Sequence, residues 1–245
     1  MIKKPYQKCS LIFNNYFLNI TDNLTVQIDN DSSPILLLEH SYPNAFTRMN
    51  VIPLTEGEIQ NIICSLESKN TSGNDEISTK ILKLCCSQMR RPFPFICDKS
   101  IMMSVFPDCL HYAFIKPLYK IGERSSIPSY RAVSLLTAFS EVLEKTMCNR
   151  LNQHLQVSNI LVTEQYKLRK CWSTECASHS LIDGILHACN SKIHSAGIFC
   201  DLPQACDCLN HKILIMKLQY YGLNGTHTNW FTSYLLIRRQ SKLKH

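Results

Sequence analysis

The chain has 245 residues, 45% of them hydrophobic and 18% charged. That is enough length and apolar content for one large domain or two small ones, and too much for intrinsic disorder. Seven glycines cannot be assembled into a P-loop or a GxGxxG loop, and no run of ~18 apolar residues exists to span a membrane. The net charge of +7 is unevenly placed: from Cys208 onward there are six basic residues and no carboxylate. A basic end of this kind can attract phosphate backbone or form a solvated face.

Residues 1–53 read as a lead-in, with IFNNYFLNI as a short helix and a PILLLEH run after it. From Thr55 the pattern sharpens. Leu54, Ile59, Ile62, Ile63 and Leu66 recur at helical spacing behind a Thr55 that can cap, with Glu58 three residues on. A second helix is predicted at roughly 76–90, with Ile77, Ile81, Leu84 and Cys85 on its inner face, and Pro92 and Pro94 stop it or bend the connection. HYAFIKPLYKIG and RAVSLLT alternate as two strands around the loop ERSSIPSY. A long helix follows at about 138–156 on Phe139, Val142, Leu143, Met147, Leu151 and Leu155. Another at about 174–192 is capped by Ser173 or Thr174 and carries the stripe Ala177, Leu181, Ile185 and Ala188. AGIFCDL reads as a buried strand. Asn210 then caps a helix that stops at Gly222, and Trp230, Phe231, Tyr234 and Leu235 line a last one. The order makes a mixed α/β (α+β), helix-rich chain.

Thirteen cysteines without a single CxxC do not make a zinc module. The cluster Cys200, Cys206, Cys208 and His211 matches no common spacing, so no zinc is expected, and most cysteines read as small buried hydrophobes in a reducing, intracellular compartment. The chemistry-bearing feature is Asp201, at the end of a strand-like run, with Asp207 six residues on. A carboxylate at a strand tip can hold magnesium for phosphoryl transfer, where two cations ~3.5–4 Å apart clamp the attacking and leaving oxygens. Alone, the pair reads equally as capping or surface aspartates.

Its context does not stand alone. GIFCDLPQACDCLNH resembles the first palm motif, FxDLxKAFDxVxH, of the reverse transcriptases of non-LTR (LINE-like, Jockey/RTE-type) retrotransposons. SGNDEISTKILK resembles that family's S-x-G-x-D-x-I-x-x-x-x-L-K motif, and VFPDCLHYAFIKPLYKIG its FP-x(3)-K-x-A-x-x-x-P-x-x-K-x-G segment. SYRAVSLLTAFSEVLEKTMCNRL is similar to Y-R-P-I-S-L-L with its long helix, and ILVTEQYKLRKCWST to Q-[FY]-G-F-R-x-x-x-S-T. The five lie in the family's order from Leu54 to Lys244.

The resemblance implies a partial reverse transcriptase domain over 54–245, with right-hand fingers at about 54–192, the start of a palm at about 193–245, and no thumb. It makes Asp201 the catalytic residue and magnesium ligand. It places Lys120, Arg131 and Arg169 toward nucleotide and template, and Cys206 where an aromatic residue normally packs under the incoming sugar. RNA template, DNA primer and deoxynucleotides are the implied partners, with Mg2+ as cofactor. Departures accompany it: Ala132 replaces a proline, Lys167 with Leu168 replaces Gly-Phe, and Pro203-Gln204 replaces an acidic-basic pair. No Asp-Asp pair occurs anywhere and no acidic residue follows Asp207. The expectation is therefore a fragment ending before the second aspartate motif, inactive alone. The alternatives are a non-catalytic nucleic-acid-binding remnant, and a small interaction protein built on its cysteines.

Overall fold

The computed structural model describes Phe13, Tyr16 and residues 33–42, 46–50, 52–169, 171–200, 209–236 and 238–241. Of the predicted IFNNYFLNI helix only Phe13 and Tyr16 are described, both helical, and the PILLLEH run lies in helix α1, Ser33–Ser41.

Helix α2, Glu56–Ser65, starts where the capping pattern places it: the Thr55 hydroxyl accepts the Glu58 N–H at 3.1 Å. All five of its predicted inner residues, Leu54 to Leu66, are buried. The stretch after it departs from expectation. Instead of one helix over 76–90 there are two short ones, α3 (Thr79–Leu84) and α4 (Cys86–Met89), joined at Cys85. Their inner face is Thr79, Leu82 and Cys86, while Ile81, Leu84 and Cys85 are exposed. The reason is the entry turn. Asp75 accepts the Ile77 N–H at 3.1 Å, Ser78 caps α3, and Thr79 fastens the loop by donating to the Glu67 carbonyl at 2.7 Å. The helix therefore begins late, and the i, i+3, i+7 face running from Thr79 turns inward. Pro92 opens helix α5, Pro92–Met102, and Pro94 sits in its first turn, where a missing N–H costs nothing.

The two predicted strands form an antiparallel pair, β1 (Tyr112–Tyr119) and β2 (Tyr130–Leu135), registered Leu118 on Arg131 and Tyr119 on Tyr130. Helix α6, Ala138–Val157, is capped by Thr137 and buries Val142, Leu143 and Met147 as expected. Helix α7, Thr174–Asn190, is capped by Ser173, but its stripe is not buried: Leu181, Ile182, Ile185 and Leu186 are all exposed. The predicted strand AGIFCDL is likewise corrected. Its described part, through Cys200, has no strand structure, with Ile198 90% and Phe199 85% exposed. A strand requires a ladder partner, and no described strand lies beside it. The third strand comes instead from β3, Arg239–Ser241, which pairs in parallel with β1 to give the order β2-β1-β3.

Helix α8, His211–Tyr220, is capped by Asn210, whose side chain accepts the Lys212 and Ile213 N–H groups. It ends at Gly222, where φ is +93° and a side chain would collide with the Thr47 carbonyl. Helix α9, Thr226–Leu236, drives Trp230 into the main core against α5, while α2 packs on α6. An ion pair of Arg150 with Glu58 at 2.8 Å ties the second contact. Among the described residues no helix is long and apolar enough to cross a membrane.

Two buried histidines make the fold acid-sensitive. His111 is 1% and His227 4% exposed. Burial is the main reason both rings titrate below the usual range. Arg238 and Arg239 add to it at His111, against the Phe106 carbonyl and Asp108, and His154 adds to it at His227. Below the usual value of ~6.5 the unfolded chain binds protons that the native rings refuse, so stability falls with pH in that window. Urea midpoints should hold above pH ~6.5 and drop on acidification below it. His111→Gln with His227→Gln should flatten that slope.

Candidate nucleotide and nucleic-acid interface

The β1–β2 hairpin carries the described basic residues that the motifs single out. Lys120 continues the ladder past β1, donating its backbone N–H to the Ser129 carbonyl at 2.8 Å. Side chains alternate along a strand, so Lys116, Leu118 and Lys120 share one face, and Arg131, paired with Leu118, is on it too. Lys116, Lys120 and Arg131 are exposed. No hydrogen bond or ion pair joins their side chains to another described residue. Three cations on one pleated face, with no described carboxylate paired to them, form an anion-attracting surface. Lys116 is the member that the motif comparison passed over, although the period-2 spacing 116, 118, 120 was there to find it.

The loop between the strands is held, so the face has a fixed edge. Tyr119 donates to the Gly122 carbonyl at 2.6 Å, and Tyr130 to the Arg124 carbonyl at 2.9 Å. The Arg124 guanidinium lies 5.4 Å over the Tyr119 ring, and the rings of Tyr119 and Tyr130 meet edge-on at 5.7 Å. Gly122, at φ +104°, makes the turn.

Arg169 is placed apart from this group. Its guanidinium donates to the Val162 carbonyl at 2.6 Å and lies 5.0 Å over the Trp172 ring, which Tyr166 meets edge-on at 5.0 Å. It braces its own loop. The left-handed backbone that the glycine replacement foreshadowed at Lys167 falls one residue later, at Leu168 (φ +63°), and again at Cys171 (φ +66°). Leu168 points into solvent. Asp201 and Cys206 lie outside the described residues, as do Asp207, Pro203 and Gln204. Among the described residues no three His, Cys, Asp or Glu side chains come together to hold a metal. Magnesium therefore has no fit to test here, and no step is derived through it.

No family model matches the chain. It is 31% identical over 178 residues, 70% of its length, to the probable RNA-directed DNA polymerase from transposon BS of Drosophila melanogaster. It is 27% identical over 165 residues to the RNA-directed DNA polymerase from mobile element jockey, and 25% identical over 182 residues to the probable polymerase from transposon X-element, both also of Drosophila melanogaster. Those matches take in 67% and 71% of this chain. The aligned stretch spans about a fifth of each relative: 20%, 18% and 20% of their lengths. The helix-rich α+β fold is consistent with part of such an enzyme. Two independent routes, ordered motifs and direct similarity, reach one answer: this chain is a distant homologue of the RNA-directed DNA polymerases of non-LTR retrotransposons, matching a partial reverse transcriptase region.

Proposed function

We propose that the chain is the fingers and first palm segment of a reverse transcriptase, divided near residue 193, and that by itself it binds nucleic acid rather than polymerising. The observation that carries the binding half is the shared face of Lys116, Lys120 and Arg131, three exposed cations without described partners. Arg can fork onto a phosphate and Lys supplies a compact charge, so the face suits a template backbone or a triphosphate. The inactive half rests on carboxylates. Asp201 and Asp207 are the last acidic residues of the sequence, and no Asp-Asp pair accompanies them. Two-metal transfer needs carboxylates from more than one strand. In a complete enzyme Asp201 would be the magnesium ligand, the metal supplying charge neutralisation at the transferred phosphoryl group.

Single-stranded RNA binding followed by fluorescence anisotropy across a salt series tests the reading. Binding should weaken steeply with salt, and Lys120→Ala with Arg131→Ala should reduce the log–log salt slope by about 2, one per lost phosphate contact. An unchanged affinity and slope would refute the assignment of this face. Primer extension with magnesium should give no product from the chain alone. Synthesis that Asp201→Ala abolishes would overturn the inactive half.

A further inference from the structure

The nucleic-acid reading leaves the cysteines unused. Ten are described, all as free thiols. Most are single, and Cys97 is sealed in the core with its thiol pushed up to about 12 by burial, which keeps it unreactive. Cys64 and Cys86 differ because they meet. Cys64 lies next to last in α2 and Cys86 is the first residue of α4. These helices pack on each other in the main core, where Cys86 is buried with Ile59, Ile62, Ile63 and Leu82. The two thiols share a hydrogen bond across that seam. Cys64 is exposed and Cys86 is 8% exposed, so a reagent in solution reaches one sulfur and the second is reached through the first.

We propose that Cys64 and Cys86 form a dithiol modification site, which small disulfides of the oxidised-glutathione class close into a disulfide bond that fastens α2 to α4. The Cys64 thiol loses its proton to water and its sulfur attacks one sulfur of the small disulfide. The reagent's S–S bond breaks, one small thiolate leaves, and a mixed disulfide remains on Cys64. Cys86 then loses its proton and attacks the Cys64 sulfur, expelling the second small thiolate. Two protein thiols are oxidised and one small disulfide is reduced to two thiols, so the exchange balances. Burial first, and then the Cys64 thiol, holds the Cys86 thiol above its usual range, while Arg90 one turn on favours its thiolate. This suits Cys86 to the resolving role, where the attack is intramolecular, and not to the initial encounter. The bond would close the segment that carries the Gly73 turn and α3.

The test uses the folded, fully reduced chain, incubated at neutral pH with oxidised glutathione, quenched with acid, alkylated and digested without reduction. The expected product is a peptide linked through Cys64 and Cys86, with alkylation of both residues falling together by about tenfold or more. Cys64→Ser and Cys86→Ser should each abolish the link, and Cys85→Ser, at the exposed neighbour of Cys86, should leave it. Circular dichroism establishes that each variant is folded, and Cys64→Ser alters an exposed side chain, so it tests the site even if Cys86→Ser unfolds. Unchanged alkylation of both thiols, glutathione retained on Cys64 alone, or a link from Cys64 to Cys85 would each overturn the proposal.

Discussion

Trp230→Ala should cost about 3–5 kcal/mol of stability, the largest loss expected from a single side chain in this fold. Trp230 is 1% exposed and stands at the meeting of α5, α9 and the segment leading into β1. Its ring stacks on Tyr234 at 5.5 Å with planes 7° apart, and Phe106 and Phe231 meet it edge-on at 5.5 and 5.4 Å. Its indole N–H donates to Ser100 Oγ at 3.0 Å, and the Ser100 hydroxyl donates in turn to the Val105 carbonyl at 2.6 Å. Truncation removes the aromatic contacts, opens a cavity and strips Ser100 of a donor. Trp230→Phe separates these effects: it keeps much of the packing and should lose about 0.5–1.5 kcal/mol for the hydrogen bond, plus a smaller cavity term. Urea unfolding of the three proteins measures both. A loss below about 1 kcal/mol for the alanine variant would mean that α9 does not close the core.

The consequence reaches the basic hairpin by a traceable route. Phe106 takes part in the Trp230 cluster, and its backbone N–H donates to Ser233 of α9 at 3.1 Å. Just after α9, Arg238 lies 4.3 Å over the Tyr234 ring and pairs with Glu144 of α6, which also accepts the Ser140 hydroxyl at 2.8 Å. Arg239 then donates its backbone N–H to the His111 carbonyl at 3.0 Å, at the start of β1. The strand that carries Lys116 and leads into Lys120 is thus anchored at its other end by the C-terminal helix. A destabilised α9 should raise exchange of the β1 amides before those of α2.

What was legible in the sequence was what is local. The caps at Thr55, Ser173 and Asn210 are three-residue patterns, and each appears as a side-chain oxygen accepting a nearby N–H. The long helix at 138–157 is set by period alone, and the hairpin by alternation around a polar loop. The failures are non-local. An apolar run such as Ile198-Phe199 reads as buried whether or not a neighbour is there to bury it, and periodicity in α7 marks a face without saying what covers it. The inner face of 79–86 was misread because the start of the helix shifted, and a shift of the start rotates the expectation onto the wrong side chains. Strand β3 was missed for a related reason: three residues carry no period, and its partner β1 lies more than a hundred positions away. At the candidate site, alternation was enough to put Lys120 and Arg131 on one face. The role given to Arg169 rested on motif position, which holds no information about the Trp172 ring that it covers.

Gly73 tests a motif residue for a purely structural reason. In the SGNDEIS segment it would be read as a polymerase signature, yet what surrounds it is backbone. A methyl group there would lie 2.5 Å from the Thr137 nitrogen, 2.7 Å from the Leu136 carbonyl carbon and 2.7 Å from the Thr137 Cα. None of those atoms is the end of a flexible side chain. They form the junction where β2 passes into α6, and Thr137 is the cap of that helix, its hydroxyl accepting the Ser140 N–H at 3.1 Å. The loop cannot retreat freely either, because Glu76 donates its N–H to the Gly73 carbonyl at 3.2 Å and Ser72 bridges Ser78. Gly73→Ala should therefore destabilise by about 1–3 kcal/mol through overpacking. Gly57→Ala is the control: it lies on α2 with open space around its would-be methyl, and should be stabilising by about 0.5–1 kcal/mol through helix propensity. Opposite signs for the two glycines, read from thermal or urea unfolding, would make the close approach of two backbones the reason for Gly73. A neutral Gly73→Ala would show that the loop and the α6 cap are not in contact in solution.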